Sequence, residues 1–247
     1  MSLHVIILAA GKGSRMKSDT PKVLHPVAGT PMLHRVMSTA KRLAPEQLHL
    51  VLGHGIEAIQ DTLADQWSAT NIVQQAEQLG TGHAVNIALD HLPNDGISLV
   101  LYGDVPLITV DTLEHCVAIA DAGELGIVTA NMSDPAQLGR ILRNDTDAIE
   151  AIVEYKDATQ QQRAIHEINS GILAAPTHLL RHWLSQVQPN NQQGEYYLTD
   201  VVALAVNDGV GVQGIVVDDE NEVMGVNDRV QLSQVERILQ RRQADEL

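Results

Sequence analysis

The sequence predicts an α/β protein with a doubly wound, mostly parallel sheet. Three observations carry that expectation. Short apolar runs alternate with amphipathic stretches along the 247 residues, and strand–helix alternation of this kind builds crossover units. The first apolar run, Val5 to Ala10, ends abruptly in Gly11-Lys12-Gly13, where glycine lets a chain turn sharply. Hydrophobic residues reach 44% with no phenylalanine, so a sizeable core is available and must be aliphatic.

In chain order, strands are expected at Val5–Ala10, Leu48–Leu52, Asn71–Gln74, Ser98–Tyr102 and Gly126–Asn131. Later ones fall near Ala151–Glu154, Gly171–Ala174 and Val212–Val217. Each is a short apolar run of strand length. The clearest helix opens at Thr30-Pro31, a cap residue followed by proline at the first helical position. Its apolar residues Met32, Leu33, Val36, Met37, Ala40 and Leu43 recur at helical spacing. Further helices cover Ile56–Ala64, Thr81–Leu92, Val110–Ala122, Pro176–Val187 and Thr199–Asn207. Asp228–Leu247 reads as a last helix, with Val230, Leu232, Val235, Ile238 and Leu239 on one side. Asn190–Gly194 and Asp218–Glu222 read as solvated loops.

Composition narrows the function. With 31 acidic and 16 basic residues the net charge is −15, and aromatic residues make up 2%. Nucleic-acid binding wants basic surface and stacking platforms, so it is not expected. Cys116 is the single cysteine and cannot form an internal disulfide, which fits a reducing, cytoplasmic setting. No apolar run approaches the length of a membrane span. The eleven histidines show no paired zinc spacing.

Against that acidic background, Lys12, Arg15 and Lys22 gather around two glycines. Backbone N–H groups can crowd onto a polyanion where glycine removes the side chain, so the segment reads as a phosphate cradle. It is neither of two common ones. A dinucleotide fingerprint needs a third glycine where Met16 stands, and Ser18-Asp19-Thr20-Pro21 stops any helix soon afterwards. A Walker loop needs a glycine where Ile6 stands and a hydroxyl residue where Gly13 stands. Asp104 follows the apolar run Ser98–Tyr102, at the strand end where open sheets bind ligands.

Gly11-x-Gly13-Ser14-Arg15-Met16, followed by Pro21-Lys22-Val23-Leu24, resembles the signature of sugar-1-phosphate nucleotidyltransferases. Five further segments narrow the resemblance: Gln75–Ala84, Tyr102–Leu107, Glu167–Ile172, Gly194–Asp200 and Gly225–Arg229. Together they look like the uridyltransferase half of the bacterial bifunctional N-acetylglucosamine-1-phosphate uridyltransferases and glucosamine-1-phosphate acetyltransferases. Ser14 stands where threonine is usual, and Leu138 where tyrosine is frequent. The related cytidylyl- and molybdopterin guanylyltransferases share only the first loop. A catalytically silent subunit that binds a nucleotide sugar is the alternative from another class.

The resemblance implies a Rossmann-like, doubly wound sheet of the sugar nucleotidyltransferase type. Residues 1–228 would form the nucleotidyltransferase domain. Residues 229–247 would be a helix starting the linker to a left-handed β-helix, which lies outside this sequence and carries the acetyltransferase and the trimer contacts in full-length members. Uridyl transfer without acetyl transfer is therefore expected. UTP and N-acetylglucosamine-1-phosphate would be the substrates, UDP-N-acetylglucosamine and pyrophosphate the products, and Mg²⁺ the cofactor. Arg15 and Lys22 are implied as catalytic residues, with Lys12 helping. Nucleotide binding falls to Ala10, Gly11, Lys22, Gln75, Gly80, Thr81, Tyr102, Gly103 and Asp104. Sugar binding falls to Gly139, Glu154, Asn169, Tyr197, Thr199 and Asn227. Asp104 and Asn227 are the implied metal ligands, with Asp228 the runner-up.

Overall fold

The computed structural model describes residues 1–63 and 69–245. Strand β1 (Leu3–Ala9) opens the chain. A small hairpin of β2 (Pro26–Val27) and β3 (Thr30–Pro31) follows, then helix α1 (Met32–Lys41). Next come β4 (Gln47–Leu52), α2 (Ile56–Gln60), β5 (Thr70–Gln74), α3 (Thr81–Leu89) and β6 (Ile97–Tyr102). The middle of the chain holds α4 (Val110–Asp121), β7 (Leu125–Asn131), β8 (Arg140–Arg143), β9 (Ile149–Val153) and α5 (Gln160–Arg163). It closes with β10 (Glu167–Pro176), α6 (Thr177–Leu184), α7 (Asp200–Asn207), β11 (Val212–Val217) and α8 (Arg229–Asp245).

One sheet organises these elements, in the order β11-β7-β10-β6-β1-β4-β5, with β8 and β9 branching from β10. β1 pairs in parallel with β4 on one side and β6 on the other. Strand order therefore reverses at β1, and the crevice beyond its carboxyl end is where such sheets take ligands. β10 runs antiparallel to both β6 and β7.

The unbroken apolar run of β1 reflects burial on both faces. Val5, Ile7 and Ala9 join Leu33, Val36 and Met37 of α1 and Leu113 and Cys116 of α4 in one core layer. Ile6 and Leu8 join Val85 and Leu89 of α3, Trp183 of α6 and Val201 of α7 in the other. Aliphatic side chains fill both layers, as expected without phenylalanine. No helix among the described residues is long and apolar enough to cross a membrane.

Several expectations are corrected. Thr30 is not the cap of α1: it pairs with Val27 in the hairpin, which turns at Ala28 (φ 46°) and Gly29 (φ 76°), and Pro31 takes the cap position. Two successive positive φ angles are what a tight two-residue hairpin demands. α2 ends at Gln60, well short of Ala64, which lies outside the described residues. β8 and α5 were not expected. β10 extends further than Gly171–Ala174 in both directions and carries a register break between Asn169 and Leu173.

The acidic stretch Asp218–Glu222 is not simply solvated. Glu222 is buried, and its Oε1 accepts from the Thr109 backbone N–H at 3.0 Å and from the Thr109 hydroxyl at 2.8 Å. It thereby holds the N-terminus of α4. Glu222→Ala leaves the Thr109 N–H unpaired, while the Thr109 hydroxyl can still turn to Thr112 Oγ1 at 3.2 Å, and should lower unfolding stability by about 1–3 kcal/mol in urea melts. Glu222→Gln, which keeps an acceptor, should lose less.

Helix α8 starts one residue later than expected, because Asp228 caps it. Its Oδ1 accepts from the N–H groups of Val230 and Gln231, both at 2.9 Å. Residues 246–247 of the expected helix lie outside the described residues. Val235 packs with Val27, Met32, Leu107 and Val226. Arg229 donates to the carbonyls of Met16 (2.9 Å) and Lys17 (3.0 Å), so α8 grips the glycine-rich loop.

Candidate active site

The loop after β1 shapes the crevice. Gly13 has φ 60°, and a Cβ added there would lie 2.5 Å from the Cβ of Lys22. Glycine is required for the loop to fold back onto the Lys22 stem. A short 3-10 turn, Lys22–Leu24, then sets the direction of the lysine. Its ammonium donates to Asp104 Oδ2 and, at 3.1 Å, to Asn227 Oδ1. Asp104 follows β6 and Asn227 precedes α8; the Val226 N–H bonds the Asp104 carbonyl at 2.9 Å and ties the two segments together. The Lys22 and Asp104 side chains are only 12% and 15% exposed.

Two hard oxygens thus converge on one cationic point, which is the chemistry a divalent ion of the Mg²⁺ type requires. Among the described residues no group of three or more His, Cys, Asp or Glu forms a metal cage. Such a pair fits an ion that shares its shell with substrate phosphates. Asp228, the runner-up ligand, is instead engaged in capping α8.

A cavity of about 360 Å³ opens on one side of this point. Of the residues expected there, Ala10, Gly11, Lys22, Gln75, Gly80, Thr81, Tyr102 and Asp104 line it. Gly103 does not; its N–H continues the β6–β1 ladder to the Leu8 carbonyl at 2.9 Å. The buried Gln75 amide donates to the Gly80 carbonyl and contacts His83 Nδ1, each at 3.1 Å. Gly80 has φ 115°, and an added Cβ would meet the Tyr196 carbonyl at 2.5 Å. Residues 79–82 are strapped to 196–198 through Tyr196 N–H to Leu79 O, Gly82 N–H to Tyr196 O, and Leu198 N–H to Thr81 Oγ1. Sequence reasoning missed Gln78, whose amide donates to the Ala10 carbonyl at 2.7 Å, and Glu195, which also lines the cavity. Gln78 lies inside the Gln75–Ala84 segment, so that match was the available signal.

A second cavity of about 280 Å³ adjoins the first. Gly139, Glu154, Asn169, Thr199 and Asn227 line it as expected, with Leu138, Gln137 and Ser170 in addition. Thr81, Tyr102, Asp104 and Asn227 line both cavities and form their seam. Thr199 donates to Glu154 Oε1 at 3.1 Å. Burial, reinforced by Asp157, Asp200 and Glu195, raises the Glu154 pKa against that hydrogen bond. Burial, with Glu154 and Asp104 adding, likewise raises the Tyr102 pKa, opposed by a hydrogen bond with Thr81. The Tyr102 hydroxyl therefore stays protonated. Tyr197 does not line the cavity. It is buried behind it, receiving a bond from Gln193 at 2.8 Å and donating to Asp157 at 3.3 Å.

Arg15 is exposed on a 3-10 turn, Ser14–Met16, and is not brought to Lys22. Lys12 lines a further cavity of about 260 Å³ with His54, and Gln75 and Gln78 border both it and the first cavity. Arg140, not singled out by the sequence, is buried and donates to the carbonyls of Leu138 and Ala136, fixing the loop that walls the second cavity.

A strand-order reversal, a glycine-rich loop carrying a cation, and two cavities joined at an acidic side chain define an α/β protein with a ligand-binding crevice at its strand ends. The chain belongs to the family described as the MobA-like NTP transferase domain, which matches residues 5–190. It is 53% identical over 247 residues to the Bifunctional protein GlmU of Pseudomonas aeruginosa and 53% identical over 245 residues to that of Marinobacter nauticus. These alignments cover 100% and 99% of this chain but 54% of each relative, so the chain spans about half their length. Two solved structures share the fold. A UDP-glucose pyrophosphorylase complexed with UDP-glucose superposes with a TM-score of 0.78 at 15% identity, covering 98% of this chain and 100% of that one. A putative glucose-1-phosphate thymidylyltransferase from Bacillus anthracis gives 0.73 at 18% identity, covering 96% and 95%.

Proposed function

We propose that this chain transfers a uridylyl group from UTP to N-acetylglucosamine-1-phosphate, giving UDP-N-acetylglucosamine and pyrophosphate. The observation that carries the reading is the meeting of Lys22, Asp104 and Asn227 at the seam of the two cavities. The likeness to the GlmU relatives supports the choice of substrates. In this reading the product supplies peptidoglycan and lipopolysaccharide precursors. The single buried thiol, Cys116, fits a reducing cytoplasm.

The first cavity takes the nucleotide, with Gln75 and the backbone of Ala10 and Gly11 reading the base. The second takes the sugar, with Glu154 and Asn169 bonding its hydroxyl and acetamido groups. Their phosphates then meet at the seam. A phosphate monoester loses its second proton near pH about 6, so the nucleophile is largely dianionic at neutral pH and needs no base. The barrier is charge repulsion and placement. Lys22 supplies a point charge beside the reacting phosphate. Tyr102, held protonated, is a hydrogen-bond donor there and does not add charge. Arg15 is exposed and open to the departing pyrophosphate. Mg²⁺, held by Asp104 and Asn227, would add charge neutralisation on the phosphates.

Pyrophosphate release should require UTP, N-acetylglucosamine-1-phosphate and Mg²⁺ together, read in a coupled assay on the purified chain. Preference for glucose-1-phosphate or dTTP would overturn the substrate assignment. Binding of UDP-N-acetylglucosamine without any turnover would mark the chain as a silent binding subunit. Gly80→Ala forces a side chain against the Tyr196 carbonyl at an unfavourable φ. It should weaken UTP binding by about tenfold or more in calorimetry while Glu154-side contacts persist.

A further inference from the structure

Lys22 engages the same two oxygens that the proposed function gives to the divalent ion. Its ammonium reaches Asp104 across 82 positions of sequence and Asn227 across 205. Its stem is held from behind, since the Gly13 backbone packs so closely that an added Cβ would meet Lys22 Cβ at 2.5 Å. The ion pair is sheltered, with side chains 12% and 15% exposed. The ammonium takes Asp104 Oδ2 and Asn227 Oδ1, so an ion drawing on those same two atoms would sit against a like charge in a sheltered site, where repulsion is little screened. Among the described residues there is no cluster of three acidic or metal-ligating side chains to hold an ion beside it.

We infer that Lys22 is a built-in stand-in for the divalent cation. Its ammonium satisfies Asp104 and Asn227. The ion gains those oxygens only when nucleotide phosphates give the ammonium another anionic partner. One lysine thus guards an otherwise unpaired, part-buried carboxylate in one state and meets phosphate in the other. Metal alone is a poor ligand, and metal with nucleotide is a good one. This inference rests on Asp104 and Asn227 being the metal ligands.

Mn²⁺ titration of the nucleotide-free protein, followed by the electron paramagnetic resonance signal of the free ion, tests it without turnover. Wild type should take up Mn²⁺ weakly. Lys22→Met should bind one ion at least about tenfold more tightly, and adding Asp104→Asn to that variant should abolish the gain. Lys22→Ala serves as a second variant if the methionine protein melts early. Equal affinity in wild type and the lysine variants overturns the inference, and so does a gain that survives Asp104→Asn. Because no UTP is present, this outcome is independent of the uridylyl-transfer assay: either can fail while the other stands.

Discussion

Asp104→Ala should reduce kcat/KM for uridylyl transfer by about 10³-fold or more, while the melting temperature falls by only a few degrees. The side chain is the acidic member of the seam, joined to Lys22 and shared by both cavities. Without it the ion that would neutralise the phosphates loses its one anionic protein ligand, and losing such electrostatic stabilisation typically costs several kcal/mol in the transition state. The fold depends on it far less, since the segment is also held by the backbone bond from Val226 and no core layer includes it. Asp104→Asn separates charge from hydrogen bonding: it keeps an acceptor for Lys22 but should be almost as inactive. Steady-state kinetics with a thermal melt decide the matter. Activity within tenfold of wild type would remove Asp104 from the reaction.

Acid should destabilise the folded chain well before its carboxylates are fully protonated. At the far end of the sheet from the crevice, His4 and His49 lie buried on one face of β1 and β4, only 0% and 1% exposed. Neither ring nitrogen of His4 has a partner among the described residues, nor has Nδ1 of His49. His49 Nε2 contacts Gln47 at 3.0 Å, and its ring stacks on His91 with centroids 6.4 Å apart. Burial, then the neighbouring His91 and His4, pushes the His49 pKa down from 6.5 to about 4. The unfolded chain therefore binds this proton first. Stability from His49 is complete above pH about 6.5 and drains away as pH falls towards 4, by up to about 3 kcal/mol. Glu167 adds to the same trend: burial raises its pKa, but Arg143 and Thr129 outweigh that and the net shift is downward, so its contribution too is lost on acidification. Urea melts at pH 7, 6 and 5 should show a steep decline that flattens in His49→Gln. Parallel declines for the two proteins would sink the assignment.

The parts legible in the sequence share a physical reason. β1, β4 and β6 are buried on both faces, so short, mostly apolar runs were enough to find them. α1 carries one apolar face, and its helical spacing held although the Thr30 cap signal did not. The short, half-polar β8 and the four-residue α5 offered neither signal. Thr159 and Gln162 form a capping box at α5, a local pattern that does mark such a helix. Glu222 was misread because a carboxylate in an acidic stretch looks solvated until its two Thr109 donors are known. Apart from the cationic cluster at the glycines and Asp104 at its strand end, individual site residues were legible only as motif members. The contacts of Lys22 with Asp104 and Asn227 join distant positions that no local periodicity can pair. Tyr197 illustrates the opposite error, a motif residue whose hydroxyl turns to Asp157 behind the cavity.

The reversed direction of β10 has a consequence for how stiff the two halves of the crevice are. Because the strand enters from the ligand end, Asn169 comes from a paired ladder, with its N–H on the Gly139 carbonyl at 2.9 Å and Ile168 in register with Arg140. The opposite wall is made by the loop from Gly11 to Pro21, whose residues are largely exposed. Amide deuterium exchange should therefore be slow at Ile168 and Asn169 and fast from Gly11 to Arg15. The β10 side of the crevice is a rigid template, and adaptation to a bound ligand is left to the other wall.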